Sequence, residues 1–198
     1  MGISYVSTEN ARKNLDAEQA ADAPFDAIRE QARKGWNEAL GRIRVEGGAE
    51  QQQRVFYTAL YHALLHPNLV SDVNGEYPLM ERSGETGMTD GERYTVFSLW
   101  DTYRNLHQLM TLVYPERQLE MVRSMIGMYK EWGWLPKWEL YGRETFTMEG
   151  DPAIPVIVDT WMKGLRDFDM DAAYEAMRKS ATTPGAQNRM RPDICLLY

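Results

Sequence analysis

The chain has 198 residues, 43% of them hydrophobic, and its 22 Lys and Arg against 29 Asp and Glu give a formal net charge of −7. A hydrophobic fraction of this size predicts one globular domain, or part of a larger one, rather than a disordered segment. The acidic balance and the lack of a Lys/Arg run exclude nucleic acid as a favoured partner, because nothing would offset repulsion from its phosphates.

Membrane insertion and cysteine chemistry are disfavoured as well. No apolar run approaches the ~20 residues needed to span a bilayer, and the N-terminal residues lack the apolar core of a signal peptide. Cys195 is the single cysteine. The sequence therefore predicts no membrane partner, no internal disulfide and no cysteine-based metal site.

The first residues predict a strand followed by a linker. Residues 2–7 alternate in the manner of a short strand, and the polar residues 8–23 are typical of a linker. A strand this isolated cannot stand alone, so we expect it to belong to a sheet whose other strands lie outside this chain.

From residue 24 the spacing becomes helical, and the predicted fold class is mainly all-α. Apolar residues recur three and four positions apart in six segments. Between the second and third, the turn dipeptides Asn74-Gly75 and Asp90-Gly91 predict a small β-hairpin excursion within residues 71–95. The predicted helices span residues 24–43, 50–65, 99–113, 115–129, 153–165 and 169–177.

Residues 132–155, WGWLPKWELYGRETFTMEGDPAIP, form the stretch most typical of an active site. Three Trp, one Lys and four acids lie between two apolar periodic segments, and Pro136 with the glycines prevents a helix across them. Flat aromatic faces beside carboxylates suit a sugar. The alternative is that Trp132 and Trp134 only close a helix end, and Asp151 before Pro152 indicates a helix cap rather than a catalytic acid.

The sequence offers no persuasive metal site of its own. His62 and His66 are four residues apart on a predicted helix, but a zincin requires Glu directly after the first His and this chain has Ala63. The segment SDVNG resembles a calcium loop only superficially, because its glycine is fourth rather than sixth. We predict no metal ligands here and interpret the histidines as helix-packing residues.

Several stretches in a fixed order resemble glycoside hydrolase family 92, the calcium-dependent exo-acting α-mannosidases. They cover most of residues 54–181 and read VFYTALYHALLHPNLVSDVNGEY, YTVFSLWDTYRNLHQLMTLVYPER, GWLPKW, GRETFTMEGDPAIPVIVDTWMKG and DAAYEAMRKSA. The resemblance implies an N-terminal β-sandwich followed by an (α/α)6 toroid, a single-displacement inverting mechanism, Ca²⁺ in the mannose subsite, and a secreted or periplasmic location.

The resemblance also suggests how the chain divides. Residues 1–21 would be a strand and linker from the preceding β-sandwich, and residues 22–198 the N-terminal half of the barrel, with about six of its twelve helices. The family's general base and most of its calcium ligands lie in a later acidic segment that has no match after residue 181. We therefore expect a fragment whose partners are a mannose-containing glycan and the missing C-terminal half of the barrel.

By the same resemblance, Glu144 takes the position of the general acid in the segment GRET, where Arg143 replaces the family's Asn and Phe146-Thr147 replace an Asn-Cys pair. Asp101 could equally be a stabilising acid in a first helical turn, or pair with Arg104. The substrate-binding residues implied are Trp100, Asp101, Lys137 and Trp138.

The predicted function is inverting hydrolysis of terminal α-linked mannose from glycans. Two alternatives remain open at this point. One is a non-catalytic carbohydrate-binding or assembly remnant, since a Trp cluster can bind sugar without cleaving it. The other is a related (α/α)6 hydrolase acting on α-glucosides, since fold does not fix substrate.

Overall fold

A computed structural model describes residues 1–19 and 22–183. The helices are α1 (Thr8–Glu18), α2 (Phe25–Leu40), α3 (Glu50–Ala63), α4 (Leu99–Thr102), α5 (Leu106–Val113), α6 (Pro115–Trp132), α7 (Ala153–Met162) and α8 (Met170–Thr182). The strands are β1 (Asn68–Leu69), β2 (Glu76–Pro78), β3 (Thr86–Met88), β4 (Tyr94–Thr95), β5 (Phe97–Ser98), β6 (Trp138–Leu140) and β7 (Arg143–Glu144).

The mainly helical class predicted from the sequence is confirmed, with about half of the chain in helices and a few short strands. The predicted hairpin is present, because β2 and β3 pair antiparallel with Tyr77 opposite Gly87. The β1 strand pairs with β4, and β5, β6 and β7 form a three-stranded sheet in that order. Among the described helices, none has the length and apolar content that a bilayer crossing requires.

The prediction for the N-terminal residues was wrong in its secondary structure. Residues 2–7 do not form a strand, and most of the predicted linker is helix α1. Ser7 caps this helix by accepting a hydrogen bond from Asn10 N at 3.0 Å. The assignment of residues 1–21 to a preceding domain stays a prediction, and residues 20–21 lie outside the described range, as do residues 184–198 of the second predicted domain.

Buried amides rather than apolar side chains attach α1 to the rest of the fold. Asn10 and Asn14, one turn apart, donate to the buried carboxylate of Asp72 at 2.8 and 2.7 Å. Asn14 Oδ1 also accepts from Val73 N at 2.9 Å, and Ser4 Oγ donates to Asp72 at 2.7 Å. A helix whose buried face is polar lacks apolar periodicity, which explains why the sequence pattern indicated a linker.

Two other predicted helices differ in detail. The predicted third helix is two helices, α4 and α5, because the chain turns at residues 103–105 and Gln108 Nε2 donates to the freed Tyr103 carbonyl at 2.8 Å. Pro152, rather than Asp151, occupies the N-cap position of α7. Asp169 caps α8 as predicted, and α6 ends at Gly133 in the left-handed conformation as predicted.

Apolar side chains form two separate core clusters. The larger lies around α6, which contacts α7 and α8, and includes Met121, Met125 and Ile157. The smaller joins α3 to α5, and α2 contributes only partly buried side chains to it. The buried members of this smaller cluster are Leu60, Leu64, Met110 and Tyr114.

A buried polar relay connects four helices next to the larger core. His107 Nδ1 lies 3.0 Å from Gln118 Oε1, and its Nε2 lies 3.1 Å from Thr102 Oγ1. Gln118 Nε2 in turn donates to Thr160 Oγ1 at 2.9 Å. Burial lowers the pKa of His107 to about 4, although its contact with Gln118 opposes that shift.

The buried histidine predicts a loss of stability in acid. Because its folded-state pKa lies below the unfolded value of 6.5, the unfolded chain takes up a proton first as pH falls. Stability is intact above the unfolded pKa and should drop by about 2 kcal/mol between about pH 7.5 and about pH 5. In urea unfolding, the free energy of unfolding of His107→Gln should depend less steeply on pH than that of the parent. His62→Gln, which changes an exposed histidine, should show the same pH dependence as the parent. An equal dependence in all three proteins would contradict the assignment.

The attachment of α1 predicts an unequal response to two substitutions in the same helix. Asn10→Ala removes an amide that donates to the buried Asp72 carboxylate and leaves Ser4 as the remaining donor to that oxygen, so it should lower the free energy of unfolding by about 1–3 kcal/mol. Lys13→Ala removes a fully exposed ion pair to Glu9 and should leave the free energy of unfolding nearly unchanged. Similar losses in both variants, measured by urea unfolding, would show that α1 is not held by its amides.

Candidate active site

The three-stranded sheet brings the candidate residues together. Trp138 lies opposite Ser98 of β5, and Glu139 lies opposite Glu144 of β7. Since Ser98 directly precedes α4, this pairing places the first turn of α4, which contains Trp100 and Asp101, beside β6. Residues that are about 40 positions apart in the sequence thus meet at one sheet.

The Glu144 carboxylate is buried, with 7% of the residue exposed, and backbone amides hold it. Its oxygens accept hydrogen bonds from Lys137 N at 2.7 Å, Trp138 N at 2.9 Å and Phe146 N at 3.0 Å. Its own N–H donates to Glu81 Oε1 at 2.7 Å. The side chain therefore continues the hydrogen bonding of the sheet where β7 ends.

Trp138 connects Glu144 to Asp101. While its backbone N–H donates to Glu144, its indole N–H donates to Ser98 Oγ at 2.7 Å and lies 3.4 Å from Asp101 Oδ2. The Ser98 hydroxyl donates a short hydrogen bond to the same Asp101 oxygen. Glu144, Trp138 and Asp101 thus belong to one hydrogen-bonded cluster, and their sharing of one substrate pocket stays a prediction.

The other two predicted residues lie at its margins. Lys137 is buried, with 2% exposed, and its carbonyl accepts from Leu99 N at 3.3 Å. Trp100 is 38% exposed and lies against Tyr103 and Arg104. Arg104 donates to the Tyr103 hydroxyl at 2.6 Å and its guanidinium lies 5.9 Å from the Trp100 ring centre, so aromatic rings occupy it.

A second buried carboxylate, which the sequence did not single out, organises the same hairpin. Glu139 is fully buried and accepts from Thr95 Oγ1 at 2.6 Å, Val96 N at 3.0 Å and Gly142 N at 2.5 Å. Burial raises the pKa of Glu139, and the hydrogen bonds from Thr95 and Gly142 oppose that shift. Strand alternation around Trp138 would have indicated an inward Glu139, had a strand been predicted there.

Strained backbone surrounds these two carboxylates. In the described part of the chain, non-glycine residues with positive φ angles, between 49° and 68°, cluster here. Val96 N donates to Glu139, Phe146 N donates to Glu144, and Glu81 accepts from Glu144 N. Val96 is β-branched and is therefore the least tolerant of such an angle. Strain of this kind persists only where surrounding contacts enforce it and is typical of functional sites. The residues are Glu81, Val96, Tyr141, Phe146 and Met148.

The side chains in the described residues do not form a metal site. Across residues 1–19 and 22–183, no group of three or more His, Cys, Asp or Glu side chains could hold one. Asp72, which lies in the calcium-like segment, is instead occupied by Ser4, Asn10 and Asn14. We derive no chemical step through calcium from these residues.

Comparison with known proteins decides the family. Residues 10–194 match the sequence model of the glycosyl hydrolase family 92 catalytic domain. The chain belongs to this family. The resemblance noted in the sequence is thereby confirmed.

Relatives of this family 92 chain include solved α-mannosidases. One, a family GH92 α-mannosidase from Bacteroides thetaiotaomicron in complex with mannoimidazole, is 35% identical, with a TM-score of 0.85 over 91% of this chain and 23% of that one. A family GH92 inverting mannosidase from the same bacterium is 36% identical, with a TM-score of 0.83 over 93% of this chain and 25% of that one.

A fungal relative adds a further comparison. An uncharacterised secreted glycosidase from Arthroderma benhamiae is 28% identical over 185 residues, which is 91% of this family 92 chain and 20% of the relative. The chain therefore spans about a fifth to a quarter of the length of these proteins.

The hydrogen bonds of Glu139 predict a selective loss of stability in this family 92 chain. In Glu139→Gln one oxygen becomes an NH₂ group facing backbone N–H donors, which should lower the free energy of unfolding by about 1–3 kcal/mol. Glu85→Gln changes a solvent-exposed acid with one long ion pair to Arg82 and should cost less than about 1 kcal/mol. Urea unfolding compares the two variants, and equal stabilities would remove Glu139 from this structural role.

Proposed function

We propose that this family 92 chain takes part in hydrolysis of terminal α-linked mannose from glycans, by a single displacement that inverts the anomeric centre. The observation that carries the proposal is the cluster in which Trp138 links Glu144 to Asp101. The α-mannosidases among its relatives support mannose as the sugar, and the one described as an inverting mannosidase supports the stereochemistry.

Glu144 is the residue we propose as general acid. It would give its proton to the glycosidic oxygen as the bond to the anomeric carbon breaks, while water attacks that carbon from the opposite face and yields a proton to a second carboxylate. Both Glu144 oxygens accept backbone N–H groups in this structure, so the side chain must turn one oxygen away from Trp138 and Phe146 to donate.

The other predicted residues would bind the sugar. Asp101 can accept from sugar hydroxyls with the oxygen lone pairs that Ser98 and Trp138 leave available. The Trp138 and Trp100 rings offer flat faces to sugar C–H groups. Lys137 would act as a buried positive charge behind the substrate.

The remaining features implied by the family belong to the proposal for the whole enzyme. These are the (α/α)6 toroid, the β-sandwich, the general base and calcium, since the chain spans about a quarter of its solved relatives. We also propose a location outside the cytoplasm, because the fungal relative is described as secreted.

A second candidate is sugar binding without cleavage. Three backbone N–H groups donate to the Glu144 carboxylate, and this favours a binding function. A carboxyl group held by these amides is not oriented to protonate a leaving oxygen. Turnover and binding measured on the same preparation separate the two candidates.

The test is Glu144→Gln in an enzyme that contains this chain together with the segment that supplies the general base. The variant cannot donate a proton, so hydrolysis of methyl α-mannoside should fall about 10²–10⁴-fold, and hydrolysis of an aryl α-mannoside with an acidic leaving group should fall far less. Mannose release is the measurement, and Glu85→Gln is the control.

Each outcome has a distinct meaning. Equal losses on both substrates would remove Glu144 from the role of general acid. Mannoside binding by the parent chain without turnover would support the binding function, and turnover of α-glucosides in place of α-mannosides would overturn mannose as the substrate.

A further inference from the structure

A small cavity lies against the turn between β6 and β7, next to the strand that carries Glu144. Its volume is about 190 Å³, which corresponds to about six water molecules in the liquid and hence to one monosaccharide ring rather than several. Residues from three parts of the chain line it: the N-terminal segment, the β2–β3 connection and the β6–β7 turn.

We propose that this cavity is a second sugar subsite, which binds one neutral monosaccharide unit of a glycan whose terminal sugar occupies the Glu144 site. The identity of the glycan rests on the proposed function, whereas the cavity and its lining do not. The residues that would contact the sugar are Tyr5, Glu81, Arg82, Tyr141 and Arg143.

A pair of stacked tyrosines forms the aromatic wall. The rings of Tyr5 and Tyr141 lie 4.7 Å apart with an interplanar angle of 22°, and the residues are 50% and 45% exposed. Burial and the neighbouring Tyr141 hydroxyl raise the pKa of Tyr5, so its hydroxyl stays neutral and able to hydrogen bond. Exposed aromatic faces with adjacent hydroxyls are suited to a sugar's C–H face and its hydroxyl rim.

Charged groups of both signs complete the lining. Glu81 uses one carboxylate oxygen to accept Glu144 N, and Arg82 lies 3.7 Å from Glu85 in a loose exposed pair. Arg143 is exposed on β7. A carboxylate disfavours an anionic ligand and two guanidinium groups disfavour a cationic one, whereas sugar hydroxyls can both donate to the carboxylate and accept from the arginines.

The backbone of the cavity is held in a strained shape. Glu81 and Tyr141, both lining residues, have φ angles of 56° and 49°. Glu81 N donates to Gly142 O at 2.8 Å, and Gly142 itself has a φ of 82°. Because such angles persist only where contacts enforce them, the cavity is a preformed feature rather than a loose surface gap.

The cavity and the Glu144 site share β7 but lie on different sides of it. Successive side chains of a strand point to opposite faces, so Arg143 and Glu144 diverge. A glycan that reaches both must pass the edge of β7, and a single mannose unit can fill one site only. Oligosaccharides should therefore bind more tightly than monosaccharides.

The experiment is an NMR titration of the 198-residue chain with methyl α-mannoside and with an α-linked mannotriose. With the trisaccharide, backbone amide signals of Tyr5, Glu81 and Tyr141 should shift together with that of Trp138. Tyr5→Ala should weaken trisaccharide binding about five- to tenfold and leave methyl α-mannoside binding at Trp138 unchanged, because an aromatic contact is worth about that factor.

Two further variants make the result decisive. Tyr141→Asn keeps a residue that tolerates positive φ while removing the ring, and it should reproduce the effect of Tyr5→Ala. Tyr174→Ala removes an exposed tyrosine of α8 and should leave trisaccharide binding unchanged.

The failure of this inference differs from the failure of the proposed function. Shifts at Trp138 with none at Tyr5 and Tyr141 would overturn the subsite and leave the mannose site standing. Shifts at Tyr5 and Tyr141 with none at Trp138 would support the cavity as a sugar site and overturn mannose binding at the Glu144 site.

Discussion

Backbone N–H groups that the short strands leave without a strand partner are bound here by two glutamate side chains, and the geometry of the candidate site depends on this. β6 has three residues and β7 only two, so their pairing satisfies few backbone N–H groups. Glu139 accepts hydrogen bonds from the N–H groups of Val96 and Gly142. Glu144 accepts from the N–H groups of Lys137, before β6, and Phe146, after β7. An orphaned buried N–H is costly enough that these carboxylates decide the path of the backbone.

A buried ion pair connects this sheet to the long helix α6. Arg93 Nη2 lies 2.8 Å from Glu131 Oε2, and the same oxygen accepts Met80 N at 2.8 Å. Met80 precedes Glu81, which binds the N–H of Glu144. The net free energy of a buried pair is close to zero once desolvation is counted, so its main effect is to fix where α6 stands relative to β7.

The helices were predictable because apolar residues line their buried faces, as in α6 with Met121 and Met125. Helix α1 was not, because Asn10 and Asn14 form its buried face and their partner, Asp72, lies about 60 residues away. Strands of two or three residues are too short for alternation to show. The meeting of Trp138 with Asp101 was expected only through the family resemblance. Glu139 looked like one acid among several, because two of its donors, Thr95 and Val96, lie more than 40 positions before it in the sequence.

The division of the apolar side chains into two clusters gives the molecule a weak point. α2 has no buried residue, and it meets the rest mainly through partly buried side chains around Leu60 and Tyr114. Regions with few buried apolar contacts open at a lower free energy than the global transition. The α2–α3 hairpin can therefore detach as a unit while the cluster around α6, with the sheet that carries Glu144, stays folded. Within the described residues, a protease acting on the native chain would cut first in this hairpin, and the larger cluster would stay folded after the cut.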